Sequence, residues 1–215
     1  SYNYQSWYPS AEYETNNTIK NVGLFDLSPF SKFEIKSDKA HKELQKICTA
    51  NIKNEPGKCI YTHMLNPDGG IEADLTVVCI EKNHFRIISS AATRERDKFH
   101  IKKYLSKDIE VKDITDDLCV FGLFGPKSRE LIKTISKDNF ENDNFKFGTA
   151  KNITIQGTNI WAQRLSYVGE LGYELYVNCK DAKNIFELIV DKGKNFNLSN
   201  CGMHAMDIMR MESGF

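Results

Sequence analysis

Asp74 sits in the middle of Ile71-Glu-Ala-Asp-Leu-Thr-Val-Val-Cys-Ile80, a run that otherwise reads as a strand. Acids are poor strand formers, so this one needs a reason. On pattern alone the ordinary reason is a sheet with one face turned to water, Ile71, Ala73, Leu75 and Val77 pointing one way and Glu72, Asp74 and Thr76 the other. Thirteen residues earlier Tyr61 opens Tyr61-Thr-His-Met-Leu65, where alternation puts Cys59, Tyr61, His63 and Leu65 on a single face. Cys59 and His63 are metal-ligand types, but two ligands do not make a site, and no metal is expected. His63 reads more simply as a satisfied core or surface histidine. A second cluster lies in Ser166-Tyr-Val-Gly-Glu-Leu-Gly-Tyr-Glu-Leu-Tyr176. Glu174 shares a strand face with Gly172 and Tyr176, and Tyr167 stands seven residues before it. Without further context these are a surface glutamate and a half-buried aromatic. Glu170 has no role beyond shaping its turn.

Those residues need elements to carry them. Asn66-Pro-Asp-Gly-Gly70 has the chemistry of a tight turn, so residues 59–80 are expected to form a β-hairpin. Strands are expected at 32–36, 85–89, 109–114 and 118–124, and near Ile153, Ile160 and Tyr173. Helices are expected where apolar residues recur at helical spacing: through Ala40, Leu44 and Ile47 behind a Ser37 cap, over 93–105, after Pro126 through Ile132 and Ile135, over 182–190, and over 203–211. Strands and helices interleave, but tight turns make neighbouring strands antiparallel. The fold class is therefore α+β, antiparallel sheets with flanking helices, rather than a doubly wound sheet.

Composition excludes several classes. Lys plus Arg and Asp plus Glu are 29 each, and this zero balance argues against a nucleic-acid or membrane-surface protein. No apolar run reaches 18 residues, and the N-terminus lacks a signal-peptide core. Six cysteines at 48, 59, 79, 119, 179 and 201 contain no Cys-x-x-Cys pair, and several lie in apolar strand patterns. Reduced thiols in an intracellular, cytoplasmic setting are expected (the mitochondrial matrix in a eukaryote). No Gly-x-Gly-x-x-Gly and no Walker sequence occurs, so flavin or nicotinamide binding of the Rossmann kind is not expected in this chain.

Several spaced segments resemble the folate-binding aminomethyltransferase family, which includes the glycine cleavage T-protein and the C-terminal folate regions of dimethylglycine and sarcosine dehydrogenases. The resemblance is carried by Val22-Gly-Leu-Phe-Asp-Leu-Ser28, Tyr61-Thr-His-Met-Leu-Asn66 with Gly69-Gly-Ile-Glu-Ala-Asp-Leu75, Phe124-Gly-Pro126 and Ser166-Tyr-Val-Gly-Glu-Leu-Gly-Tyr-Glu174. It spans about residues 7–215 and is closer to the dehydrogenase branch. It implies that Glu174 clamps the pterin ring of tetrahydrofolate, because a carboxylate can accept a ring N–H and an exocyclic amine side by side. It implies that Tyr167 and Tyr61 line the folate site and that Asp74 lies near the reacting nitrogens as a proton carrier. Met206 falls where T-proteins have a folate-touching arginine, a departure that suits the dehydrogenase branch.

The implied activity is transfer of an aminomethyl or methylene unit from an N-methyl or aminomethyl amine, giving 5,10-methylene-tetrahydrofolate. The donor would come from an FAD domain upstream or from a lipoyl carrier protein, with no flavin in this chain itself. The alternative is a non-catalytic folate-binding half of a larger FAD-dependent dehydrogenase. The resemblance also implies the first two domains of a three-domain fold, with the sequence stopping before the C-terminal β domain. These would be two interlocked subdomains, about 1–50 with 115–215, and about 51–114.

Overall fold

The computed structural model describes residues 5–215. Along the chain run α1 (Tyr8–Lys20), β1 (Val22–Asp26), β2 (Ser31–Lys36), α2 (Ala40–Ile47), β3 (Cys59–Leu65), β4 (Ile71–Glu81), β5 (His84–Ser89), α3 (Arg94–Tyr104) and β6 (Val111–Asp113). There follow β7 (Leu118–Phe124), α4 (Ser128–Ile135), β8 (Thr149–Ile155), β9 (Thr158–Arg164), β10 (Gly172–Asn178), α5 (Cys179–Gly193), β11 (Leu198–Cys201) and α6 (Met203–Glu212). The expected α+β class holds: strands pair antiparallel except for β1 with β11, and helices flank the sheets.

The chain divides into two compact units. Of the described residues, one holds those up to 28, 118–147 and 151–215, the other 29–117 and 148–150. The first crossing falls at Ser28/Pro29, some twenty residues before the one expected near residue 50. The reason is pairing: β2 and α2 precede residue 50, yet β2 is zipped to β5 along its whole length and Leu44 and Ile47 of α2 pack into the same core as Phe85 and Ile87.

In the first unit the described residues form a sheet in the order β11-β1-β7-β10-β9-β8. One face is covered by α4 and α5. Leu131, Ile132 and Ile135, and Ile185 and Ile189, recur at helical spacing and pack on Leu24, Leu123, Tyr173, Leu175 and Ala162, with Val22, Leu123, Tyr173 and Leu175 essentially inaccessible. Burying such side chains stabilises the unit by roughly 1.5–3 kcal/mol each. The other face of the same strands carries Phe124, Gly122, Glu174, Tyr176, Gln163 and Trp161, set by the register Gly172↔Phe124, Glu174↔Gly122, Glu174↔Gln163 and Tyr176↔Trp161.

The second unit is a sheet in the order β3-β4-β5-β2-β6, with Phe33, Ile35, Val77, Phe85 and Ile87 packed against α2 and against Ile101 of α3. Its hairpin closes as the turn residues require. The Asn66 side-chain oxygen accepts from the N–H groups of Asp68 (3.1 Å) and Gly70 (2.9 Å), an Asx arrangement that braces the turn. Gly69 adopts φ +81°, a left-handed conformation that favours glycine.

Three local expectations shift. Ser37 does not cap α2 directly; its hydroxyl accepts from the Lys39 N–H at 3.3 Å, bracing the turn that enters the helix. Pro126 lies two residues before α4, because the turn closed by the Ser128 N–H on the Gly125 carbonyl comes first. α1 has no counterpart in the sequence reading: its apolar spacing is weak, and its buried positions are Ala11, Thr15 and Thr18. Among the described residues no helix is long and apolar enough to cross a membrane.

Candidate functional site

The four residues picked out from sequence divide between the units, Tyr167 and Glu174 in the first, Tyr61 and Asp74 in the second. Each pair is described within its own unit.

Glu174 is held mid-strand on β10, between Gly122 of β7 and Gln163 of β9. It is not the exposed strand acid that pattern alone suggests. Its side chain keeps only limited contact with water, and burial pushes its carboxyl up to about 7, against a smaller opposing pull from the Tyr176 hydroxyl. That hydroxyl donates to Glu174 Oε2 at 2.8 Å. The tyrosine bonded to Glu174 is thus Tyr176, two residues along on the same face. Tyr167 occupies the loop between β9 and β10, where it is 37 % exposed and stacks on Phe215 with ring centroids 5.8 Å apart. The loop is pinned at Gly169, whose φ is +75° and where a Cβ would lie 2.1 Å from Ser213 Oγ. That close approach explains a glycine at the centre of Val168-Gly-Glu170. Burial also raises the Glu170 carboxyl.

Two neighbours of Glu174 escaped the sequence reading. Gln163 is completely buried, and neither its Oε1 nor its Nε2 has a hydrogen-bond partner among the described residues. Trp161, opposite Tyr176, has a buried indole N–H in the same condition. The available signal was a glutamine inside the apolar run Ile160-Trp-Ala-Gln163, but only the register shows that it faces Glu174.

In the second unit Asp74 is exposed on β4, directly opposite His63 of β3, and Tyr61 lies opposite Thr76. The Tyr61 hydroxyl donates to Asp74 Oδ2 at 3.4 Å, a long contact, and Tyr61 meets His63 edge-on at 5.8 Å. Tyr61, His63 and Asp74 therefore share one face, as alternation predicts. That face is not wet throughout, since Val78, two pairs deeper, is fully buried. Opposite it on β5, Arg86 binds Glu34 of β2 through Nε (3.1 Å) and Nη2 (2.7 Å). Burial works to raise the Glu34 carboxyl, and the Arg86 bonds outweigh it, leaving the group below its ordinary value. Glu34 thus has the charged Arg86 and also His84 (Nε2 to Oε2 3.3 Å) as partners, where Glu174 has a neutral hydroxyl.

Met206 is a buried residue of α6, 2 % exposed, so its side chain serves packing. The six cysteines are free thiols, with Cys119 and Cys179 sulfurs 3.4 Å apart. Among the described residues no cluster of three or more metal-ligating side chains occurs.

Comparison with known proteins places this arrangement. The family described as the GCVT N-terminal domain matches residues 1–215. The chain is 34 % identical to 4-methylaminobutanoate oxidase (formaldehyde-forming) of Paenarthrobacter nicotinovorans, over all of this chain and 26 % of that protein. It is 32 % identical to the mitochondrial dimethylglycine dehydrogenase of Rattus norvegicus, over all of this chain and 25 % of that protein. The chain thus spans about a quarter of the length of these curated relatives. Among solved structures, the glycine cleavage system aminomethyltransferase T of Bartonella henselae superposes with a TM-score of 0.83 at 20 % identity, covering 95 % of this chain and 54 % of that one. At that identity the likeness shows the fold.

Proposed function

The chain belongs to the GCVT N-terminal domain family, and on that premise we propose that it binds tetrahydrofolate and takes part in moving a one-carbon unit onto it from an N-methyl or aminomethyl amine. The observation that carries the reading is Glu174: a carboxylate held on a strand, sheltered from water, whose side-chain partner among the described residues is a single hydroxyl. Such a group is stabilised by a ligand that presents two N–H donors side by side, as a pterin does. Within the first unit Glu174 supplies the acceptor pair and Tyr167 aromatic surface for a flat heterocycle, and the family resemblance assigns Tyr61 to the same ligand. When bound, tetrahydrofolate supplies the nucleophilic nitrogen that accepts the one-carbon unit.

The residues of the chain do the remaining work. Glu174 orients the pterin. Asp74, exposed and touched by the Tyr61 hydroxyl, takes the proton released as nitrogen bonds to carbon and returns it to the departing group. If the unit arrives as formaldehyde, that group leaves as water; if it arrives as an aminomethyl group, an amine leaves. The relatives named for oxidation of dimethylglycine and 4-methylaminobutanoate support an N-methyl amine as its origin. An oxidising domain elsewhere in the protein or in a partner would then generate it, with a lipoyl carrier as the other source.

The test follows 5,10-methylene-tetrahydrofolate in the full-length protein given tetrahydrofolate and formaldehyde. Formation well above the spontaneous rate is expected. Tight folate binding without acceleration would leave a non-catalytic folate-binding domain, and absence of binding would overturn the reading.

A further inference from the structure

Gln163 is the most anomalous polar side chain in the first unit. It is 0 % exposed, it lies one residue before the end of β9, and both its amide oxygen and its amide nitrogen lack a partner among the described residues. Buried amides are nearly always satisfied, since each stranded donor or acceptor costs on the order of 1–3 kcal/mol. The register sets Gln163 directly beside Glu174, with Trp161 beside Tyr176 one pair along, so two cross-strand pairs form a small square of polar groups on one sheet face. Within that square Glu174 bonds Tyr176, while the Gln163 amide and the Trp161 N–H are left over.

We propose that Gln163 is a second recognition residue for the ligand held by Glu174, donating from its amide nitrogen to the ring carbonyl next to the edge that Glu174 reads. The proposal rests on the folate reading above and adds to it a residue and a chemical edge. A carboxylate offers acceptors only, so Glu174 can read only the donors of a heterocycle. A primary amide offers two donors beside its acceptor, so in the plane of such a ring it can give Nε2–H to a carbonyl. A reduced pterin presents these groups in a row on one ring, the exocyclic amine and the ring N–H as donors and then the ring carbonyl as acceptor. The pair Glu174 and Gln163 matches that sequence of groups, whereas two carboxylates or two amides would not.

The test replaces the amide by apolar groups of similar size, Gln163→Met and Gln163→Leu, in the full-length protein. Binding of folinic acid is read by calorimetry, and unfolding temperature is read with and without it. The proposal expects affinity to fall by about three- to tenfold for one lost hydrogen bond, while the ligand-free protein unfolds at the same temperature or higher, because a stranded amide has been removed. Unchanged affinity in both variants, with the wild type binding, overturns the role of Gln163 and leaves the folate reading intact. A lower ligand-free unfolding temperature at unchanged affinity also overturns it, showing an amide satisfied by internal water. A wild type that fails to bind folinic acid overturns the folate reading and this proposal with it.

Discussion

Glu174 and Asp74 are acids at comparable places in comparable elements, the interior of an antiparallel strand, yet their surroundings are opposite. Glu174 is sheltered and flanked by Gly122 and the unpartnered amide of Gln163, and its carboxyl is pushed up to about 7. Asp74 is exposed near the turn of a hairpin, opposite a histidine, with a tyrosine hydroxyl at 3.4 Å. Shelter makes a carboxylate sensitive to whether a ligand neutralises it. Exposure leaves a carboxylate open to a reacting group and to water. The first arrangement suits binding and the second suits turnover, so perturbing the two residues should separate affinity from rate.

The largest separation is expected at Asp74. Asp74→Asn keeps the shape and removes the proton acceptor, so transfer should slow by roughly 10²–10⁴ while folate affinity stays within a few-fold. Single-turnover rates beside calorimetric affinities measure both. Lost affinity with normal turnover per bound folate would make Asp74 a clamp and erase the contrast.

Glu174→Ala should do the converse. Hydrogen bonds to charged groups contribute roughly 1.5–3 kcal/mol each, so folate binding should weaken at least about tenfold. Turnover at saturating folate should change much less. An equal fall in both quantities would mean that the two acids act at the same step.

The raised carboxyl of Glu174 gives a smaller, pH-dependent signature. Only the ionised form accepts two N–H donors, and with a value near 7 the ionised fraction rises about tenfold between pH 6 and pH 8. Folinic acid should therefore bind about tenfold tighter at pH 8 than at pH 6, with proton release, and Glu174→Gln should abolish that slope. In the ligand-free protein the sign is reversed. The folded carboxyl holds its proton to higher pH than the unfolded one, so this contribution to stability is full below about 4.5 and is lost as pH rises through about 7. Denaturant titrations at pH 5 and pH 8, comparing wild type with Glu174→Gln, isolate it.

The smallest effect belongs to Tyr176. Its hydroxyl lowers the Glu174 carboxyl, so Tyr176→Phe should move the midpoint of the affinity profile to higher pH and weaken binding about two- to threefold at pH 7. The loss should disappear by pH 8.5. A loss that persists there would mean that the hydroxyl touches the ligand directly.

Much of this was legible before any coordinates. The hairpin follows from Asn66-Pro-Asp-Gly-Gly70, because an Asx side chain and a left-handed glycine are local requirements that a turn cannot evade. The faces of β4 and β10 follow from strict alternation, and so does the company of Tyr61, His63 and Asp74. What stayed hidden depended on partners distant in sequence. The crossing at Ser28/Pro29 is set by β2 pairing with β5, more than fifty residues away. α1 is concealed because its buried side chains are Ala and Thr, which leave little periodic signal.

The sequence by itself determined the α+β class, the hairpin and the identity of the acids, since these rest on local propensity and on a two-residue period. Only the tertiary structure decided which acid is sheltered, that Tyr176 rather than Tyr167 bonds Glu174, and that Gln163 lies buried beside it without a partner. Register and burial arise from which strands pair and what covers them, and a side chain carries no local mark of either.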